Sequence, residues 1–174
     1  IGVTGTDGKS TTVSFIDQLL TAAGHKTGFL STVMFNVGGK VRKNVLRQST
    51  PEAPEVHGIL REMRDAGCTH AVVEATSHGL SPRNNRLGDV AFDVGVFTNL
   101  SAEHLEFHKT FEQYRDDKAN LFRLLDPKGG TAILNTDDPS AGYMREASRA
   151  PVLSYSLSDP AADFYAERIE EKGD

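Results

Sequence analysis

The sequence GVTGTDGKS at residues 2–10 decides the fold class, because it joins a short apolar strand to a helix through a glycine-rich turn. Backbone N–H groups in such a turn can surround phosphate oxygens, and the helix N-terminus adds the positive end of its dipole. The Lys9 amine would then reach the β- and γ-phosphates of a nucleotide, and the Ser10 hydroxyl would bind Mg²⁺. The full phosphate-loop pattern has glycine at the position of Val3, so this loop is a shortened near-match. A plain strand-to-helix turn with an incidental lysine is the alternative.

Strand and helix patterns alternate along the rest of the chain. Apolar residues at helical spacing predict helices at 9–23, 50–66, 110–125 and 139–148. Short apolar runs predict strands at 1–4, 27–32, 69–74, 90–98, 130–135, 151–155 and 164–169, and a Gly-Gly turn predicts a hairpin within 33–46. Thr50 is expected to cap the second helix, with Pro51 at its first position. Because the strands are nearly all apolar, these elements predict a doubly wound α/β fold with a mostly parallel sheet, helices on both faces and a small hairpin excursion.

The chain has 174 residues of ordinary globular composition, a net charge of −5 and one cysteine, Cys68. The acidic balance argues against sequence-independent nucleic-acid binding, and no apolar run approaches the ~20 residues of a membrane span. A single cysteine excludes an internal disulfide and cysteine-ligated zinc, and it favours a reduced, cytoplasmic compartment. The chain opens within a strand and closes in a polar stretch at 170–174. These ends predict that residues 1–174 are a fragment of a larger protein.

Polar residues directly after the predicted strands are the candidate site residues, since parallel sheets bind ligands at the carboxyl ends of their strands. Glu74 ends the strand THAVVE and could hold Mg²⁺ directly or through water, although an ordinary strand-end acid fits as well. His104 and His108 lie one helical turn apart, which suits a shared metal, but Leu105 stands where a zinc-protease motif needs glutamate. Spacing alone leaves His104 as a metal ligand or a structural histidine, and Lys118 as a surface residue of an amphipathic helix.

Six stretches of this sequence together resemble the Mur ligase family of ATP-dependent, amide-forming ligases. In chain order they are GVTGTDGKSTT, STPEAPE, VVEATSHGL, VFTNLSAEHLEFH, YRDDKANLF and ILNTDDP. The resemblance is strongest to the branch that adds the third peptide residue to UDP-N-acetylmuramoyl-L-alanyl-D-glutamate. Enzymes of this family have three domains, so the resemblance implies that residues 1–174 are the central ATP-binding domain. An N-terminal domain for the UDP-sugar and a C-terminal domain for the incoming amino acid would then belong to the same parent chain.

That resemblance implies a role for each matching position. Residues that would hold ATP are Gly5, Thr6, Asp7, Gly8, Lys9, Ser10 and Thr11 at the phosphates, with Asn135 and Asp138 near the base. Two Mg²⁺ ions would be bound by Ser10, Glu74, His104 and Lys118, the last as a carbamylated lysine. Positions that would contact the UDP-N-acetylmuramoyl-dipeptide are Ser49, Thr50, Thr76 and Arg86. The catalytic set would be Lys9, Glu74, His104 and Lys118.

Three positions depart from the family pattern. Asp7 stands where asparagine is commoner, and an acid beside phosphates is unfavourable unless it faces Mg²⁺ or solvent. Thr76 replaces a serine and keeps the hydroxyl. The stretch at 81–86 is longer than usual, so Arg83 competes with Arg86 for the substrate contact.

The implied reaction is ATP-dependent amide formation through an acyl phosphate, in the synthesis of a peptidoglycan precursor. The residues that choose among diaminopimelate, lysine and ornithine would lie in the C-terminal domain, so the sequence leaves the diamino acid open. Two alternatives remain: a folylpolyglutamate synthase, which shares the phosphate loop and the fold, and a nucleotide-binding domain without turnover. STPEAPE and EATSHGL favour the muramoyl branch. Alone, residues 1–174 are expected to bind Mg·ATP weakly and to form no amide.

Overall fold

The computed structural model describes residues 1–46, 48–101 and 105–170. Within these ranges nine strands form one sheet in the order β4-β3-β2-β5-β1-β6-β7-β8-β9. The strands are β1 (Gly2–Thr4), β2 (Thr27–Leu30), β3 (Met34–Val37), β4 (Lys40–Lys43), β5 (His70–Glu74), β6 (Val94–Phe97), β7 (Thr131–Asn135), β8 (Val152–Ser156) and β9 (Phe164–Tyr165). Neighbouring strands from β2 to β9 in this order run parallel, whereas β3 runs antiparallel to both β2 and β4. The predicted mostly parallel sheet with a hairpin excursion is confirmed.

Helices cover both faces of this sheet. They are α1 (Lys9–Ala22), α2 (Ala53–Asp65), α3 (Ser77–Leu80), α4 (Leu105–His108), α5 (Phe111–Arg123) and α6 (Ala141–Ala147). On one face, Val13 of α1 packs against Val3, Phe29, Val72 and Val96 of the central strands. The next residues along three of those strands, Leu30, Val73 and Phe97, belong to a second core with residues of α2, α5 and α6. Burial on both faces explains why these strands are continuously apolar.

The second helix begins later than the sequence predicted. Helix α2 starts at Ala53, and Glu52 forms a reciprocal capping box with Glu55. The assignment of Thr50 as the helix cap, with Pro51 in the first turn, was therefore wrong. The Thr50 hydroxyl instead lies 2.6 Å from that of Thr76, and residues 50–52 precede the helix. Thr110, in contrast, caps α5 as expected, by accepting a hydrogen bond from the Gln113 N–H.

Several predicted strands are shorter in the structure. Strand β2 stops at Leu30, where the Ser31 hydroxyl accepts from the backbone N–H groups of Val33 and Met34. Strand β6 spans only Val94–Phe97 of the predicted 90–98, since Phe92 makes just an isolated bridge to Leu125. The last strand covers Phe164–Tyr165 rather than 164–169. No described helix has both the length and the apolar character needed to cross a membrane.

Candidate nucleotide and ligase site

The predicted site residues gather at one edge of the sheet, where the parallel strands end. Strand β1 lies between β5 and β6, so the chain crosses from one side of β1 to the other between these two strands. A reversal of this kind opens a crevice beyond the strand ends, and this crevice is the usual ligand site of doubly wound folds. The phosphate-loop sequence leaves β1 directly into this crevice.

Two glycines of the loop have backbone conformations that other residues rarely adopt. Gly5 has φ 154°, and a Cβ atom there would lie 1.9 Å from the Thr98 hydroxyl oxygen. Gly8 has φ 76° and is the N-cap residue of α1. The first helical hydrogen bond runs from the Thr12 N–H to the Gly8 carbonyl at 2.8 Å. The N–H groups of residues 9–11 therefore precede the helical ladder and point out of its N-terminus, as phosphate binding requires.

The loop is held from the neighbouring strand by residues that the sequence analysis did not single out. The Thr6 N–H donates to the Asn99 carbonyl at 2.8 Å, and the Asp7 N–H donates to the Asn99 side-chain oxygen at 2.9 Å. The Thr98 hydroxyl donates to the Asp7 carbonyl at 2.8 Å. Asp7 itself is exposed, so its carboxylate faces solvent and the expected conflict with phosphates is avoided. The sequence feature that could have identified Thr98 and Asn99 is their position directly after β6, the strand beside β1.

Lys9 lies over the loop and not away from it. Its amine donates to the Thr6 carbonyl at 2.5 Å. An ammonium group is thus already positioned above the ring of backbone groups that a phosphate would enter.

Glu74 and Ser10 form the oxygen pair that the sequence predicted for Mg²⁺. The Ser10 hydroxyl donates to one Glu74 oxygen at 2.7 Å, and the glutamate is 2% exposed. Thr32 supports the same carboxylate through its N–H at 2.8 Å and its hydroxyl at 2.9 Å. Carboxylate and hydroxyl oxygens suit Mg²⁺, which keeps several waters and takes few protein ligands. Thr32 was missed by the sequence analysis, although it follows β2, the strand next to β5.

Lys118 is a buried residue of the site and not a surface lysine. It is 1% exposed, and its amine donates to the Gly5 carbonyl at 2.6 Å. The same amine lies 4.5 Å from the centre of the Tyr114 ring, whose hydroxyl is 3.2 Å from that of Thr6. Helix α5 therefore contacts the phosphate loop at two points. His104, the other predicted ligand of the second Mg²⁺, lies outside the described residues.

Metal binding by histidine, cysteine and acidic clusters finds no support in the described part of the chain. Residues 1–46, 48–101 and 105–170 contain no group of three or more such side chains that could hold an ion. A Mg²⁺ site here would depend on the Ser10 and Glu74 oxygens together with nucleotide phosphates and water.

Three of the predicted substrate residues meet beside the loop. The Thr50 and Thr76 hydroxyls lie 2.6 Å apart, and Arg86 donates to the Thr50 carbonyl at 3.0 Å while pairing with Glu52 at 2.7 Å. The buried Nε atom of Arg86 has no hydrogen-bond partner in the described structure. Arg83 is exposed. The geometry thus favours Arg86 over Arg83 as the cation that faces this cluster.

The remaining substrate candidate, Ser49, is connected to the metal pair through its backbone. Its carbonyl is 3.5 Å from the Thr32 hydroxyl, the same group that donates to Glu74. The segment at 49–50 therefore lies between the Glu74 carboxylate and the Thr76 hydroxyl. The Ser49 side chain is only partly buried.

Asn135 and Asp138 already hold the loop that follows β6. The Asn135 amide donates to the Thr98 carbonyl at 2.8 Å, and Asp138 accepts from the Leu100 and Ser140 N–H groups at 2.7 Å each. Both side chains therefore shape the crevice next to the phosphate loop. Their contact with the nucleotide base stays a prediction.

Asp137, between these two residues, gives a testable pH effect. It accepts hydrogen bonds from the Leu157 N–H and from the Ser156 and Ser158 hydroxyls, and these lower its pKa from 3.8 to about 2. A lowered native pKa stabilises the fold above the unfolded-state pKa, and this contribution is lost as the pH falls toward the native value. We expect Asp137→Asn to lower the urea midpoint at pH 7. The difference from the unsubstituted protein should shrink as the pH falls from about 4 to about 2.

The control for this experiment is Asp89→Asn, which changes an exposed aspartate away from the turn. Its midpoint should track that of the unsubstituted protein at every pH. Equal midpoints for Asp137→Asn and the unsubstituted protein at pH 7 would contradict the stabilising role of Asp137.

Comparison with known proteins assigns this geometry to a family. The Mur ligase middle domain matches residues 3–174. The UDP-N-acetylmuramyl-tripeptide synthetase of Treponema denticola is 56% identical over 183 residues, which cover 98% of this chain and 34% of that protein. This chain belongs to the Mur ligase family. Members of this family are ATP-dependent acid–amino-acid ligases.

A second relative and a solved structure support this family assignment. The UDP-N-acetylmuramoyl-L-alanyl-D-glutamate–2,6-diaminopimelate ligase of Chlorobium phaeobacteroides is 44% identical over 144 residues, covering 83% of this chain and 27% of that protein. A solved structure of a ligase with the same name superposes with a TM-score of 0.80 at 31% identity, over 94% of this chain and 33% of that one. The Escherichia coli FolC structure, in complex with DHPP and ADP, has a TM-score of 0.60 at 21% identity over 92% of this chain and 44% of that one, and so shares the fold alone. The chain spans about a third of the length of the curated relatives it matches.

Proposed function

We propose that this chain is the central ATP-binding domain of a three-domain Mur ligase that adds a diamino acid to UDP-N-acetylmuramoyl-L-alanyl-D-glutamate. The observation that carries the proposal is the meeting of three groups at one sheet edge: the phosphate loop, the Ser10 and Glu74 pair, and buried Lys118. Relatives named tripeptide synthetases and diaminopimelate ligases support the choice of substrate. Coverage of about a third of each relative supports the central-domain assignment, with an N-terminal UDP-sugar domain and a C-terminal amino-acid domain in the same parent protein.

The proposed reaction has two steps. A terminal carboxylate oxygen of the muramoyl dipeptide attacks the γ-phosphorus of ATP, and the bond to the β,γ-bridging oxygen breaks to release ADP and leave an acyl phosphate. The amine of the diamino acid then attacks the activated carbonyl, expels phosphate and loses a proton. Phosphoryl transfer of this kind needs positioning and charge neutralisation more than covalent chemistry. Lys9 and the N–H groups at 9–11 would bind the phosphates, and Ser10 and Glu74 would hold Mg²⁺, which neutralises phosphate charge when bound.

Carbamylation of Lys118 is part of this proposal. The neutral amine would attack CO₂, so that an N–C bond forms, one C=O electron pair moves to oxygen and the nitrogen loses a proton. The Lys118 side chain is 1% exposed, so its amine is held in a fixed place beside the phosphate loop. The product is a carboxylate on a long stem beside Gly5 of the phosphate loop. Together with His104, this carboxylate would serve a second Mg²⁺.

The muramoyl dipeptide would bind beside the Thr50 and Thr76 hydroxyls, with Arg86 and the segment at Ser49 as further contacts. An anionic peptide carboxylate suits the Arg86 guanidinium, which already pairs with the Glu52 carboxylate at 2.7 Å. This cluster lies next to Glu74 along the β5 strand and loop, so an acyl carboxylate bound there would be near the γ-phosphate. Such positioning is the main requirement for the first step.

Gly79 offers a test of this substrate subsite. A Cβ atom at residue 79 would lie 2.7 to 2.9 Å from side-chain atoms of Thr50, closer than real contacts allow. We expect Gly79→Ala to displace the Thr50 hydroxyl and raise KM for the muramoyl dipeptide by ~10-fold or more, because a shift of about 1 Å can cost 10²-fold in rate. The KM for ATP should change little. Steady-state kinetics with each substrate varied in turn measure both constants.

The matched control is Gly58→Ala, at a half-buried helix position where an added Cβ would contact nothing within 4 Å. Both KM values should stay near those of the unsubstituted enzyme. An unchanged muramoyl-dipeptide KM in Gly79→Ala would remove Thr50 from the proposed subsite.

The alternatives make different predictions for one experiment on the full-length protein. ADP release is measured with UDP-N-acetylmuramoyl-L-alanyl-D-glutamate and, in turn, diaminopimelate, lysine or ornithine, while folate plus glutamate serves as the rival pair. Release with one diamino acid supports the proposal and identifies the amine substrate. Release only with folate and glutamate supports a folylpolyglutamate synthase. No release with either pair, alongside tight Mg·ATP binding, supports a nucleotide-binding domain without turnover.

A cytoplasmic location is also proposed. The chain has one cysteine, Cys68, which gives it no internal disulfide to form, and an ATP-dependent ligase needs a compartment that supplies ATP.

A further inference from the structure

A buried polar bridge joins helix α3 to helix α5. One ring nitrogen of His108, Nε2, lies 3.0 Å from the Ser77 hydroxyl, and the other, Nδ1, lies 2.9 Å from an Asp117 carboxylate oxygen. The exposed fractions are 2% for Ser77 and 1% for both His108 and Asp117. The Gln113 amide donates to the second Asp117 oxygen at 3.0 Å. Both ring nitrogens and both carboxylate oxygens therefore have hydrogen-bonding partners.

The proton positions along this bridge follow from the chemistry of its members. The ionised Asp117 carboxylate can only accept, so His108 Nδ1 carries a proton and donates to it. The Ser77 hydroxyl can serve His108 Nε2 in either ring state, because it donates to the neutral imidazole and accepts from the protonated one. The same order of groups occurs in hydrolases, but Ser77 is buried from solvent here, so a substrate does not reach its oxygen. The bridge is therefore suited to holding elements together.

The two ends of the bridge are neighbours of site residues. Ser77 follows Thr76, whose hydroxyl lies against Thr50, and Asp117 precedes Lys118, whose amine contacts the phosphate loop. We propose that His108 is a positioning residue, which fixes the muramoyl-dipeptide loop relative to the lysine helix through Ser77 and Asp117. This inference rests on the proposed function for its two binding sites. The inference goes beyond the proposed function by assigning a role to three residues that touch neither substrate nor nucleotide.

Burial alone does not account for this arrangement. Apolar side chains of similar volume would fill the same space without the cost of burying a carboxylate and an imidazole. Hydrogen bonds fix direction as well as distance, whereas apolar packing tolerates sliding between helices. The residue pair that most needs a fixed separation is Thr76 and Lys118, since Thr76 would serve the acyl carboxylate and Lys118, as a carbamate, would serve the second Mg²⁺ in the proposed reaction.

The test uses Ser77→Ala and Asp117→Asn in the full-length enzyme. Ser77→Ala removes only the hydroxyl partner of Nε2, and Asp117→Asn removes the carboxylate that accepts from Nδ1, while both keep the helices intact. For each variant we expect kcat/KM for the muramoyl dipeptide to fall by ~10- to 100-fold, with a raised KM and a lowered kcat, because the acyl carboxylate is misplaced. The KM for ATP should stay within about twofold, since the phosphate loop is untouched. Ser77→Thr, which keeps a hydroxyl, should retain most activity.

A matched control separates positioning from stability. Asp17→Asn changes another buried carboxylate, which accepts from Thr27 and Asn36 between α1 and the hairpin, away from the bridge. Lower stability alone should reduce the active fraction without changing either KM. If Ser77→Ala and Asp117→Asn behave like Asp17→Asn, with both KM values unchanged, the positioning role is overturned.

Hydrogen exchange tests the bridge without any substrate. The N–H groups of Gly79, Leu80 and Ser81 are held by hydrogen bonds within α3 to Thr76 and Ser77. In Ser77→Ala their exchange should accelerate by ~10-fold or more, while exchange in α1 stays unchanged. Unchanged exchange in α3 overturns the inference. If the unsubstituted enzyme fails to turn over, the proposed function fails, and this exchange result still decides whether the bridge holds α3.

Discussion

Replacing Lys9 with alanine in the full-length enzyme is expected to lower the rate of ADP release by about 10³-fold, the loss typical when a positioned charge or donor is removed from a transition state. The Lys9 amine already lies over the phosphate loop, bound to the Thr6 carbonyl. During transfer of the γ-phosphoryl group, the negative charge on its oxygens must be neutralised in a site that is partly shielded from water. No other described lysine amine donates to the loop except that of Lys118, which the proposal commits to a carbamate.

The control for this prediction is Lys128→Ala, in the exposed turn after α5. It removes the same charge from the protein without touching the loop, and its rate should be close to that of the unsubstituted enzyme. Initial rates of ADP release at saturating substrates measure both. A Lys9→Ala enzyme with near-normal turnover would refute the phosphate-binding role of the loop lysine.

The second large effect is expected at Lys118. Lys118→Ala should lose ~10²- to 10³-fold in kcat, because the variant lacks the carboxylate that would serve the second Mg²⁺. Removal of the long stem also leaves space beside Gly5 and Tyr114. Short carboxylic acids such as formate and acetate should enter this space and restore part of the activity in a concentration-dependent way. The measurement is the rate of ADP release against acid concentration.

Two comparisons make the rescue informative. Lys9→Ala should show no rescue by the same acids, because an anion cannot replace an ammonium group. Lys118→Met, which refills the space, should be rescued less than Lys118→Ala. Full activity of Lys118→Ala would show that the lysine is dispensable. A loss that none of the acids restores would instead assign the effect to the hydrogen bond between the Lys118 amine and the Gly5 carbonyl.

The architecture could be predicted from the sequence because its causes are local and periodic. Alternating apolar runs and helical patterns, punctuated by glycine, specify a covered parallel sheet without knowledge of distant contacts. Errors came where distant residues decide the ends of elements. Thr50 has the sequence context of a helix cap, yet its hydroxyl is engaged by Thr76 from another element, and Glu52 caps the helix instead. Tertiary hydrogen bonds outweigh a local capping preference of about 1 kcal/mol.

The candidate site residues also differ in how far the sequence predicts them. Lys9, Ser10 and Glu74 could be proposed from the chain itself, since a glycine-rich turn and a strand-end acid have a recognisable chemistry. Lys118 could not, because its helix pattern is that of an ordinary amphipathic helix. Only the resemblance to the Mur ligases singled it out, and the structure then gave the physical reason, which is burial against the phosphate loop. Thr32 became visible through strand pairing, because β2 and β5 are adjacent only in the sheet.

The sequence by itself determined the fold class, the phosphate loop and the family, because these depend on short motifs and on periodicity along the chain. Only the tertiary structure decided which polar residues meet. Ser77, His108 and Asp117 come from three separate segments, and no spacing in the sequence relates them. Their contact arises because parallel strands end at one edge and the helices above must pack there. Polar groups buried in that packing need partners, and only the folded chain supplies them.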